Sequence, residues 1–419
     1  MRLLYPPEDR RPLRMRFRAR KRAGNGDPPS PSLCECHFHA RPPWASTRMP
    51  EINGPTVYVL GAGASVHTGA PLLNDFLVTA RHLYQAKADL LHRESFGRVF
   101  DWINSLRASA YYVDVDTDNL EHVFSILEMS RQIGLEGAAE LSDDLVQLVV
   151  ETLDRQQLVF RGGKLVPEPV YQQFATQLLA SNRRRKEVTK ADAFGGNDSI
   201  ITFNYDVMVD CALAYAGYTI NYHVAAPPKP NGIDLLKLHG SVNWGISKCS
   251  DEPTITVVPP PLGDANNPLM QEGVGVPIRM ATHSLPRARC NHCGNACGLR
   301  PLLVPPTWSK AINRWRAVAD VWAQAVRNIE SAQQIVVIGY SMPETDTFFK
   351  YLLSLGLKAN RGLHRVVVVN PSATPALRTR YESVFSRSMK DRGRLVFEDG
   401  AGGFQAFVGP AMERIAQLR

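Results

Sequence analysis

The chain of 419 residues is 44% hydrophobic and 21% charged, enough apolar material to bury a sizeable core. Its longest apolar runs, such as Ile335–Ile338 and Val366–Val369, fall far short of the roughly 18 residues of a membrane helix, which excludes a spanning protein. The net charge of +8 is concentrated: residues 1–50 carry 11 Lys and Arg against four acids, which leaves +1 on residues 51–419. The bulk charge of the body therefore points to no polyanion such as nucleic acid.

Residues 1–50 also hold nine of the 30 prolines and few periodic apolar positions, so they read as a disordered basic tail. No apolar segment of about 7–15 residues follows the charges, which argues against a signal peptide. Two readings stand: a tail that touches nucleic acid or a membrane surface, or a stretch upstream of a true start at Met49. The β-type residues that begin directly after Met49–Gly54 favour the second. Seven cysteines, an odd number without an export signal, point to a reducing cytoplasm and to thiols that are ligands or free.

Along the body, residues 51–419, Pro55–Leu60 is a short β-branched run ended by Gly61-Ala62-Gly63-Ala64-Ser65, a buried strand entering a glycine turn and then a helix. Residues 70–195 read as a helical insert covering one end of the sheet. In it, Asp118-Asn119-Leu120-Glu121 forms a capping box, Leu145–Leu153 and Val170–Leu179 are amphipathic, and Arg183–Lys186 is a solvated helix end. Further strands are expected at Ser199–Phe203, Asp234–Leu238, Gln334–Ile338, Arg365–Val369 and, more weakly, Arg394–Glu398. Several are continuous apolar runs, the signature of a parallel sheet covered on both faces, hence an α/β, Rossmann-like architecture. Residues 249–305, rich in Pro and Gly, carry Cys290, Cys293 and Cys297 within eight positions and form a small cysteine-containing module.

A glycine turn between strand and helix is built to hold phosphate on backbone N–H groups. Gly61-Ala62-Gly63 departs from the dehydrogenase fingerprint, because Val66 stands where its third glycine or alanine belongs. A structural strand-to-helix turn is the alternative. Thr202–Asp206 lies at the end of the second sheet strand, the edge where α/β sheets bind ligands, although Asp206 could equally cap a helix. His239 follows Leu235–Leu238 and precedes Gly240, a placement that suits a general base better than a lone core histidine. Gly339-Tyr340-Ser341 and Asn370-Pro371-Ser372 end two more strands with small or polar groups. Cys290-x-x-Cys293 has the spacing of a metal knuckle, and Cys297 follows within reach of a turn.

These residues, taken in order with Gly69 and Pro71, resemble the sirtuin-like NAD-consuming family over about residues 55–410, closest to its bacterial branch linked to anti-phage defence. Two departures set the chain apart from protein deacylases. Ala70–Leu77 lacks the arginine of their Ile-Pro-Asp-Phe-Arg, and Phe203 stands where they carry Gln. The resemblance implies that NAD is the substrate, cleaved to nicotinamide and ADP-ribose. Asn204 would orient the carboxamide or the attacking water, Asp206 the ribose side, and His239 would act as base. Gly61, Ala62, Gly63, Ser65, Gly339 and Ser341 would hold the pyrophosphate, and Asn370 the adenosine ribose. It also implies structural zinc on Cys290, Cys293 and Cys297, with Cys249 as fourth ligand and His283 or His292 as substitutes; a loop with free thiols is the alternative. A protein deacylase and a non-catalytic NAD- or ADP-ribose-binding module are the competing functions. No sensor domain is recognisable, so a trigger would come from a partner protein, from self-assembly or from the insert.

Overall fold

The apolar runs become the strands of one wall through the molecule. The computed structural model describes residues 54–86, 88–108, 112–113, 115–189, 198–247, 249, 254–264, 271–305, 315–343, 346–371, 373–398 and 403–412. The expectations for residues 1–50 lie outside them. In chain order the strands are β1 Thr56–Leu60, β2 Gln157–Arg161, β3 Lys164–Val166, β4 Ser199–Thr202, β5 Ile220–Asn221, β6 Ile233–Lys237 and β7 Gly240–Ile246. They continue with β8 Ile255–Val257, β9 Gly263–Asp264, β10 Gly275–Pro277, β11 Arg300–Leu303, β12 Gln334–Ile338, β13 Arg365–Val369 and β14 Leu395–Glu398.

Seven strands form a sheet ordered β14-β13-β12-β1-β4-β6-β5, every pair parallel. Side chains alternate across it, so β1 sends Tyr58 and Leu60 into one core and Val57 and Val59 into another. The first core is closed by α1 Phe76–Gln85, α2 Arg93–Arg107, α3 Leu120–Gln132, α4 Ala138–Leu153, α5 Pro169–Thr189 and α6 Met208–Tyr215. The second is closed by the helices Arg316–Ser331, Thr347–Ala359 and Pro375–Val384. The continuous apolar runs are thus explained: a strand with a core on each face has no solvent side to mark with polar residues. Each fully buried Val, Leu or Ile contributes about 1.5–3 kcal/mol. Among the described residues, no helix is long and apolar enough to cross a membrane.

Four local expectations change. The glycine turn runs into two 3-10 turns, Ala62–Ala64 and Val66–Thr68, and the first α-helix begins only at Phe76. Gly69 at φ 83° and Pro71 stop any helix from continuing between them. The cap of α3 sits one residue later: Asn119 accepts from the Glu121 N–H at 2.9 Å, while Asp118 pairs with Arg107. The block 70–195 is not wholly helical, because Gly162 and Gly163, at φ 58° and 78°, turn β2 into β3. Residues 249–305 in turn hold β8 to β11. Strands β9 and β10 join the hairpin in a four-stranded antiparallel sheet, β10-β2-β3-β9, that sews the insert to the cysteine-containing module. Helix α5 carries on through Arg183–Lys186 to Thr189.

Candidate functional site

Parallel register places the candidate residues in one row. Leu60 is level with Thr202 and Ile338, Thr202 with Lys237, and Ile338 with Val369. Two positions beyond these strand ends stand Ala62, Asn204, His239 and Tyr340. Backbone bonds extend the ladder past the strands: Gly61 donates to Ile338, Phe203 to Leu60, Leu238 to Thr202 and Gly339 to Val369. Strand order reverses between β1 and β12, since the strands after β1 build one side of the sheet and β12 to β14 the other. Ligand crevices form at such switch points.

At that point two loops lie backbone on backbone. The Gly63 N–H donates to the Gly339 carbonyl at 2.8 Å. A Cβ on Gly61 would lie 2.6 Å from the Tyr340 Cα, and one on Gly339 would lie 2.3 Å from the Ala64 nitrogen. The glycines are therefore required by this contact, with or without an anion above it. The N–H groups of Gly61, Gly63, Ala64 and Ser65 all donate within the protein.

The polar centre is a buried network. Asn204 donates its two amide hydrogens to the Gly61 carbonyl at 3.0 Å and to Ser65 Oγ at 3.1 Å. Ser65 Oγ donates to Asp206 Oδ2 at 2.9 Å and lies 2.8 Å from the Tyr171 hydroxyl. Asp206 Oδ1 accepts the Met208 N–H at 3.0 Å, so this carboxylate both takes the first N–H of α6, from one residue ahead of its N-cap Val207, and holds Ser65. Burial pushes the Asp206 carboxyl up from the ordinary carboxylate range, against the opposing pull of the Lys237 charge. Lys237 is wholly buried; its Nζ donates to the Asp206 backbone carbonyl and to Asp210 Oδ2, 3.0 Å away. Tyr222 donates to the other Asp210 oxygen at 2.6 Å.

His239 is buried between rings, its centroid 5.2 Å from that of Phe203 and 6.0 Å from that of Tyr205. Phe203 stacks on Tyr340 at 4.7 Å, so the pair spans the end of β1 above Gly61. Gly61, Gly63, Ser65, Asn204, Asp206 and Gly339 are thus joined by direct contacts, with His239 against the residues on either side of Asn204. Ala62 is half-buried within the first 3-10 turn, Ser341 is exposed, and Asn370 lies two strands from β1, its N–H on the Glu398 carbonyl at 3.2 Å. Sequence reasoning passed over Tyr171, Asp210, Tyr222 and Lys237. Only Lys237 carried a signal, as a charge inside an apolar run; Tyr171 looks like any core position of an amphipathic helix.

The four sulfurs of Cys249, Cys290, Cys293 and Cys297 lie within 4.8 Å of one another, so neither His283 nor His292 is needed as a substitute. Cys249 and Cys290 Sγ are 3.7 Å apart. A tetrahedron of thiolates about zinc, with Zn–S of roughly 2.3 Å, has edges of about 3.8 Å, so the donor set and spacing fit a closed structural site. Backbone N–H groups of Cys293 and His292 lower the Cys290 thiol to about 6, while desolvation and the neighbouring sulfurs push Cys297 up to about 12. Clustered thiols cannot all ionise without a cation to compensate them. Cys290 is buried with Leu285 and Leu299 in a small core of its own, with Cys293 and Cys297 packed against it, while Cys249 is exposed.

Fold and site together define an α/β protein with a doubly wound parallel sheet, a polar strand-end site and a tetracysteine module. Neither a protein-family model nor a curated protein matches the chain. Among solved structures it is similar to a Sir2 homologue in complex with NAD, at TM-score 0.38 and 15% identity over 87% of this chain and 90% of that one. It is similar also to Sir2Tm bound to a propionylated peptide, at TM-score 0.33 and 14% identity over 86% and 92% of the two chains.

Proposed function

We propose that the chain is a NAD glycohydrolase that cleaves NAD to nicotinamide and ADP-ribose, and that it serves as an effector of bacterial anti-phage defence. The observation that carries the chemistry is the seating of Asn204. Both of its amide hydrogens are bound to Gly61 and Ser65, so the group it offers a ligand is the carbonyl oxygen. That oxygen accepts from a nicotinamide carboxamide N–H or from a water molecule, the two roles the reaction needs filled.

The nicotinamide ring nitrogen is positively charged in NAD and leaves as a neutral molecule when the glycosidic bond breaks. Positive charge then builds on the ribose, where the Asn204 carbonyl dipole is favourable. His239, at the matching position beyond the end of the neighbouring strand β6, takes the proton of the attacking water or of a ribose hydroxyl, a role worth about 10²–10⁴-fold in rate. Zinc on the four cysteines would leave no open coordination position, so its part would be to hold the module together. The choice of NAD rests on the ordered motif series that resembles the sirtuin-like family, and the defence role on its bacterial branch. Phe203, stacked on Tyr340, supports hydrolysis over deacylation, since it supplies no amide where deacylases carry Gln.

The test is nicotinamide release with and without an acylated peptide. Release from NAD alone is expected, abolished in Asn204→Ala with NAD binding retained, and reduced about 10²-fold or more in His239→Ala. Full activity in Asn204→Ala removes the mechanism; release only with the peptide identifies a deacylase.

A further inference from the structure

Ser65 Oγ has one proton and two lone pairs, and three polar atoms surround it. The Asn204 nitrogen at 3.1 Å can only donate, and the Asp206 carboxylate oxygen at 2.9 Å accepts the serine proton. The Tyr171 hydroxyl, 2.8 Å away, therefore donates to the remaining lone pair. The Asn204 amide cannot flip in this setting, because its oxygen would then face the Gly61 carbonyl, 3.0 Å from the present nitrogen. Tyr171 and Ser65 are each 1% exposed, so no solvent can take the place of the phenol. Tyr171 belongs to α5 of the insert and packs against His67 and Phe404, with ring centroids 5.4 and 5.3 Å away.

We propose that Tyr171 is a positioning residue through which the helical insert sets the Asn204 amide: its hydroxyl fixes the rotation of Ser65, and Ser65 seats Asn204. The kinetic consequence rests on the NAD-cleavage reading; the positioning itself does not. A displacement of α5 would loosen Asn204 without touching the substrate, which makes the insert a lever on turnover rather than on NAD affinity.

The experiment compares Tyr171→Phe, Ser65→Ala and the double variant. One neutral hydrogen bond is worth about 1 kcal/mol, so Tyr171→Phe is expected to lower kcat roughly five- to tenfold with KM for NAD within about twofold. Adding Tyr171→Phe to Ser65→Ala should cost nothing further, because the tyrosine acts through the serine. Multiplicative losses, or wild-type kcat in Tyr171→Phe, overturn the proposal. A second readout needs no activity. In asparagine-selective 15N spectra, the Asn204 side-chain signal is assigned by its loss in Asn204→Ala, and its hydrogens should exchange with water slowly. They should exchange at least about fivefold faster in Tyr171→Phe, on the same single hydrogen-bond scale. Unchanged exchange there refutes the positioning role whether or not NAD is cleaved. Faster exchange in a protein that cleaves no NAD supports the positioning and removes the NAD reading alone.

Discussion

The contact between the loops after β1 and β12 can be weighed by one substitution and its control. In Gly339→Ala the added methyl would lie 2.3 Å from the Ala64 nitrogen and 2.4 Å from the Gly63 carbonyl carbon, both backbone atoms, at φ 62°. Gly393 has nearly the same backbone angle, φ 63°, and a methyl there would meet nothing within 4 Å. The left-handed conformation costs an alanine about 1–2 kcal/mol at either site. Overlap adds about 1–3 kcal/mol at Gly339 only. Gly339→Ala should therefore lose about 2–5 kcal/mol in urea unfolding, and Gly393→Ala about 1–2. Domains commonly hold roughly 5–15 kcal/mol, so both variants should remain folded in buffer. Relief of the overlap also moves the turn carrying Ser65 by about 1 Å, a displacement that can cost about 10²-fold in rate, so NAD turnover should fall in Gly339→Ala and not in Gly393→Ala. Equal destabilisation of the two variants would show that the loops do not interlock as described.

Lys237→Ala should cost about 3–5 kcal/mol, because it leaves the Asp210 carboxylate buried with Tyr222 alone; a loss under about 1 kcal/mol in thermal or urea unfolding would count against a buried ion pair. Metal-replete protein should contain about one zinc per chain, and a chelator should lower its melting temperature. Cys290→Ala should melt lower from the start and ignore the chelator, and elemental analysis well below one zinc per chain contradicts the site.

The strands were legible because a buried parallel sheet imposes an all-apolar run of about five residues. Gln334–Ile338 and Arg365–Val369 stand where expected and the other four expected strands within a residue or two, whereas the two-residue edge strand β5 and the antiparallel strands carried no such run. The row of strand-end candidates followed from the same fact, since parallel strands all finish at one edge. The hairpin at Gly162-Gly163 runs against the helical reading of its block, and the paired glycines are its one local signal. The capping box misplaced its helix start by one residue because Asp118 found Arg107 as a partner, a contact 11 positions away that local pattern does not register.

Local pattern carries the fold class, the edge at which Asn204 and His239 stand, and the three clustered cysteines. Tertiary structure alone decided that Gly61, Gly63 and Gly339 serve a contact between two loops 276 residues or more apart. It singled out Cys249, rather than His283 or His292, as the group that joins the other thiols across 41 residues, and it hung Asn204 from Ser65, which Asp206 and a tyrosine of the insert hold in turn. The physical reason is that periodicity reports which face of an element is dry. The partner of a buried polar atom is set by which elements meet, and Lys237, Ser65 and Tyr171 acquire their roles only where β6, the glycine turn and α5 converge.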